Sequence, residues 1–158
     1  MRRILAALDV SKRTDAVFRT AIDFAKQYHA ELLLFRAVDV PQEFPPAAAT
    51  HHADALRPKL LEDARAELDG LAATARSAGI VTTTEVVVSS EPWRRIIDAA
   101  EARGVDVIIV GSHGYHVIDR LLGTTTARVA DRAKCMVVVV HEPPATTSES
   151  ASPYRSKP

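Results

Sequence analysis

Short apolar runs alternate with longer amphipathic stretches along this chain, and the alternation predicts its architecture. Ile4-Leu5-Ala6-Ala7-Leu8 reads as a buried strand that stops at the polar turn Asp9-Val10-Ser11. From Thr14, a suitable N-cap, apolar residues recur at Val17, Ala21, Phe24 and Tyr28, and Phe18, Ile22 and Ala25 widen the stripe at helical spacing. Leu32 to Phe35, continuing through Arg36-Ala37-Val38, predicts a second strand. Residues 41–52 hold three prolines and no regular period, which predicts an irregular, mobile excursion. Leu56, Leu60, Leu61, Ala64, Leu68, Leu71 and Ala75 then mark a long helix ending near Gly79. The β-branched run Val81 to Val88 predicts a third strand. Pro92 opens a helix with Trp93, Ile96, Ile97 and Ala100 inward, and Gly104 closes it. Val105 to Val110 is a fourth strand; a short helix after Thr124 carries Val129, Ala130 and Ala133; Met136 to Val140 is a fifth strand.

Strands that alternate with helices, and that lack the polar alternation of a half-exposed sheet, predict an α/β fold: an open parallel sheet covered on both faces and doubly wound by right-handed crossovers. At 158 residues and 47% hydrophobic content the chain suits one domain, expected over residues 1–142. Residues 143–158 hold too few large apolar groups to join a core and are expected to form a flexible tail.

Composition narrows the partners. Twenty basic and twenty acidic residues balance to zero net charge, so no global field recruits nucleic acid or an anionic membrane, and an anionic ligand must be held locally. The lone Cys135 has no internal disulfide partner and no secretory signal is visible, which points to a cytoplasmic setting. The longest apolar runs fall far short of the roughly 20 residues that span a bilayer.

Candidate chemistry concentrates after the fourth strand. Gly111-Ser112-His113-Gly114 leaves it, and Gly123-Thr124-Thr125-Thr126 follows after eight residues, Tyr115 to Leu122. Glycines let backbone N–H groups approach an anion, and the helix that follows presents unsatisfied N–H groups and the positive end of its dipole. Turn punctuation and an N-cap threonine would explain the same residues without a ligand. Asp9 is open to two roles, a turn bonded to its own backbone near Ser11 or a ligand contact at the end of strand one. His113 is either solvated or close to a phosphate. No lysine precedes Thr124 as a P-loop requires, no G-x-G-x-x-G follows strand one, and no nucleophile elbow is present, so no catalytic residue is assigned. His51 and His52 lack partners at metal-binding spacing, and Cys135 has no activating base, so neither a protein-held metal nor a nucleophile is expected.

The ordered set of Asp9, Ser90-Glu91-Pro92, the Gly111 to Gly114 turn, Gly123-Thr124 and Arg128-Val129 before a valine strand resembles the universal stress protein family, in its nucleotide-binding branch. The spacer here is one residue shorter than the family's usual one, and Ser90 stands where many members carry glycine. The resemblance implies an adenine nucleotide alpha hydrolase-like, Rossmann-like sheet of order 3-2-1-4-5. It also implies an ATP site, with or without Mg²⁺, in which Gly111, Gly114, Gly123, Thr124 and Thr125 surround the phosphates and His113 lies in the cradle. Ala7 and Asp9 would face the nucleoside and Ala37 the base. The implied function is an ATP-dependent stress-response switch or sensor with slow or no hydrolysis; the alternatives are an interaction module that binds no ATP and a slow ATPase. The family's common homodimer pairs the last strand, here Met136 to His141, which removes an apolar sheet edge.

Overall fold

Four helices and five strands alternate in the computed structural model, which describes residues 1–11, 14–38, 49–112 and 123–141. In order they are β1 (Arg3–Ala7), α1 (Thr14–Tyr28), β2 (Glu31–Val38), α2 (Ala49–Ser77), β3 (Thr82–Val88), α3 (Pro92–Ala102), β4 (Val107–Gly111), α4 (Thr124–Arg132) and β5 (Met136–Val140). Every strand pair is parallel and the order is β3-β2-β1-β4-β5.

Burial explains why these runs form strands without polar alternation. Ile4, Ala6, Leu32, Leu34, Val107 and Ile109 pack with Val17, Phe18 and Ala21 of α1 and Leu68, Ala72 and Ala75 of α2 on one face. Leu5, Leu33, Phe35 and Ile108 pack with Ile96, Ala99 and Ala100 of α3 and Val129 of α4 on the other. A side chain of this size contributes about 1.5–3 kcal/mol when fully buried, so β1, β2 and β4 anchor both layers at once. Their carboxyl ends then lie together where the winding reverses, between β1 and β4.

Two local expectations change. Helix α2 begins at Ala49, so residues 49–52 are helical rather than part of the irregular excursion, whose other residues, 41–48, lie outside the described residues. The prolines of that stretch suggested a longer break than the alanine-rich start of α2 makes. Pro58 lies inside α2 on an exposed face, where it forgoes one backbone bond to the turn before it. Ala130 is exposed, because α4 turns only Thr126 and Val129 fully inward. Helix α2 ends as expected before Gly79, whose φ of +81° is a left-handed conformation. The tail at 143–158 lies outside the described residues. No helix among the described residues is long and apolar enough to cross a membrane.

Candidate functional site

The turn after β1 is built around Asp9. Its Oδ1 accepts from the Ser11 N–H at 3.0 Å, the Ser11 hydroxyl at 2.6 Å and the Thr14 hydroxyl at 3.2 Å. Its backbone carbonyl accepts from the Thr14 hydroxyl and, at 3.1 Å, from Nη2 of Arg36. The turn role foreseen for Asp9 is therefore present, and it holds the carboxylate at the rim of a cavity. Thr14 opens α1, and its hydroxyl ties that helix start back to β1.

A second turn brings the two glycine segments together. Gly111 closes β4, the Ser112 N–H donates to the Val140 carbonyl at 2.9 Å, and the Gly123 N–H donates to the Ser112 carbonyl at 2.8 Å. The chain thus returns to its own exit point after the spacer and enters α4 directly. Gly123, not a threonine, is the N-cap of α4, and no side chain caps the helix. The Thr126 hydroxyl instead donates to the Gly111 carbonyl at 2.6 Å, clamping the helix to β4. With the Ala127 N–H bonded to Gly123, the N–H groups of Thr124, Thr125 and Thr126 have no acceptor within the helix. They form the positive end of α4.

Between these turns lies a half-open cavity of about 190 Å³. Ala7, Asp9, Ala37, Gly111 and Thr125, which the family resemblance implies as site residues, line it. Gly123 adjoins it as the helix cap, and Thr124 is exposed at the first helical position. His113 and Gly114 lie outside the described residues. Ser90 is exposed and does not narrow the cavity, whose wall on that side is Pro92 and Ile96. Leu8, Val17, Phe35, Val110 and Thr126 complete the lining. These read in sequence as core residues, since a core side chain and a cavity floor share the same apolar pattern.

Two features had no signal in the sequence. Arg36 is 4% exposed; its Nη1 pairs with Glu67 of α2 and its Nη2 holds the Asp9 carbonyl. Trp93, beside the cavity wall, carries the guanidinium groups of Arg94, Arg128 and Arg132 at 5.2, 5.5 and 5.1 Å from its ring centroid. Arg94 also reaches Glu91 at 3.2 Å, and Arg132 reaches Asp131 at 3.8 Å. The packing of α3 against α4 creates this cationic rim, and spacing along either helix alone does not reveal it.

Larger cavities, of about 240 and 340 Å³, lie at the amino ends of the strands, around Arg3, Glu31 and Arg103 and around His29, Ala30 and Gly79. Size does not decide between the ends. In the first of these cavities the arginines are already matched, Arg3 to Glu31 at 3.3 Å and Arg103 to Glu85 at 2.7 Å. Helix donors with no acceptor among the described residues gather at the carboxyl end, which is also where open α/β sheets bind ligands.

Comparisons with known proteins agree with this architecture. The model of the universal stress protein family matches residues 1–141. A universal stress protein A homolog of Coxiella burnetii is 31% identical over 140 residues, covering 88% of this chain and 94% of that protein. The structure of the Methanocaldococcus jannaschii protein MJ0577 superimposes with a TM-score of 0.80 at 26% identity, covering 91% of this chain and 98% of that one. A universal stress protein in complex with cAMP superimposes with a TM-score of 0.63 at 25% identity, covering 89% and 96%. With the sheet order, the turn after β4 and the family match in agreement, this chain belongs to the universal stress protein family.

Proposed function

We propose that this protein is an adenine-nucleotide-binding stress protein that takes ATP in the crevice between the β1 turn and α4. The observation that carries this reading is the amino end of α4, uncapped by any side chain, beside a cavity lined by Asp9, Ala37, Gly111 and Thr125. The free N–H groups of Thr124 and Thr125 suit phosphate oxygens, and the arginines on Trp93 add positive charge nearby. The apolar floor of Phe35, Ala37 and Val110 suits a base, and the Asp9 carboxylate suits a hydroxyl or amine donor of the nucleoside. At about 190 Å³ the cavity takes the nucleoside part and leaves the phosphates along α4. The cAMP bound by a related protein supports an adenine nucleotide; ATP is our choice because the uncapped amino end of α4, with Arg128 one turn on, favours more phosphate charge. Magnesium would be held chiefly by the phosphates and water, as that ion keeps several waters and needs few protein ligands.

In this reading nucleotide occupancy alters dimer stability or partner affinity, hydrolysis is slow or absent, and the protein works in the cytoplasm. The dimer would form along β5, an edge strand whose Met136 is 56% exposed and whose four valines are half-buried. The decisive test is to denature freshly purified protein, identify any released nucleotide by mass spectrometry, and titrate the emptied protein with ATP, AMP and cAMP by calorimetry. Co-purified ATP, or micromolar ATP binding tighter than AMP, is the expected result. Tighter cAMP binding would replace ATP as the ligand, and no binding heat with any of the three would leave an interaction module that binds no nucleotide.

A further inference from the structure

Arg36 is out of place for a stability element. Its guanidinium is almost fully buried, yet its partner Glu67 has a side chain 57% exposed, and its buried Nε–H has no acceptor among the described residues. A buried cation with an unmade donor costs more than an apolar side chain of similar size would. Leu32 and Leu34, which precede it on the same face of β2, are the apolar residues that this layer otherwise uses. What arginine supplies and leucine does not is a rigid fork that spans two elements. One prong lies on α2 at Glu67, and the other holds the Asp9 carbonyl at 3.1 Å.

Building on the nucleotide-site reading above, we infer that Arg36 is the positioning residue for Asp9. By tying the β1 turn to α2 through Glu67, it sets the distance between the Asp9 carboxylate and the donors of α4, and so the affinity for the nucleoside. Arg36 touches no ligand in this scheme and acts only through the turn. A shift of α2 along the sheet would move the turn with it, which makes α2 the element through which a partner could alter nucleotide affinity.

The test is a double-mutant cycle read by ATP calorimetry on the full chain, with Arg36→Met and Asp9→Ala singly and together. Arg36→Met is expected to weaken ATP about tenfold, equivalent to about 1.4 kcal/mol, and to add no further loss in the Asp9→Ala background. A merely structural role would lower the unfolding midpoint and weaken ATP equally in both backgrounds, and that result overturns the inference, as does wild-type affinity in Arg36→Met. If Arg36→Met does not fold, Glu67→Ala removes only the α2 prong. It is then expected to weaken ATP about threefold in an Asp9-dependent way, and unchanged affinity overturns the tie. Should the wild-type chain bind no nucleotide, the nucleotide reading fails separately, and the amide resonances of Ser11 and Thr14 decide. Shifts in Arg36→Met confined to the β1 turn uphold the positioning role, and an undisturbed turn refutes it.

Discussion

The two ends of the sheet differ in how completely their polar groups are matched. At the amino end, Asp106 accepts from the backbone N–H groups of Arg2 and Arg3 at 2.5 and 3.0 Å, Arg3 donates to the Arg103 carbonyl at 2.8 Å, and Lys134 pairs with Glu101 at 3.0 Å. These contacts join strand starts to helix ends. At the carboxyl end, the Asp9 and Thr126 bonds hold the turns in place, while the first N–H groups of α4 have no acceptor among the described residues. Binding an anion needs donors that folding has not already used. The matched end therefore serves the fold, and the unmatched end is where the proposed ligand would bind.

The largest effect should come where the two functions overlap. Phe35 is 1% exposed, packs against α3 and also floors the cavity. Phe35→Ala is expected to cost about 3–5 kcal/mol in denaturant unfolding and to weaken ATP as well. A loss of affinity without a loss of stability would contradict its core role. Next in size, Gly123→Val crowds the approach to α4 and should weaken ATP at least about tenfold, or about 1.4 kcal/mol. Its φ of −54° is open to any residue, so the fold is spared. Arg103→Ala, at the matched end, should leave ATP affinity unchanged. Equal losses in the two variants would erase the distinction between the ends.

The smallest effect is a pH dependence. Backbone bonds from Arg2 and then Arg3 hold the Asp106 carboxyl below its ordinary value, against an opposing contribution from burial. A lowered value in the folded state means that the stabilisation is complete above the unfolded value of about 3.9 and is lost as pH falls through the folded one. Asp106→Asn should therefore lower the urea midpoint at pH 7, with the gap to wild type closing near pH 3. A gap that stays the same at both values would show that the charge of Asp106 adds nothing.

How much of this was legible beforehand depends on the range of the interaction. The strands and their parallel arrangement followed from apolar runs and their alternation with helices, because burial on both faces leaves an unbroken hydrophobic pattern, whereas the sheet order followed from the family resemblance. The turn at Gly111 and the cap region at Gly123 were legible as glycine punctuation after a buried strand. The helical start of α2 at Ala49 was not, since proline and histidine around it carry turn and surface signals. Thr126 was equally ambiguous, because a threonine at a helix start fits a cap, and only the nearby Gly111 carbonyl gives its hydroxyl another partner.

By itself, then, the sequence determined the layers of the molecule and the glycine-marked turns at the carboxyl end of the sheet, since strand patterning and glycine placement act over a few residues. The tertiary structure alone decided that Arg36 reaches across β2 to join Glu67 with Asp9, and that Arg94, Arg128 and Arg132 converge on Trp93. Those contacts link residues on separate elements, and a long charged side chain carries no local preference that tells which element it will meet. Only the packing of the helices on the sheet selects its partner.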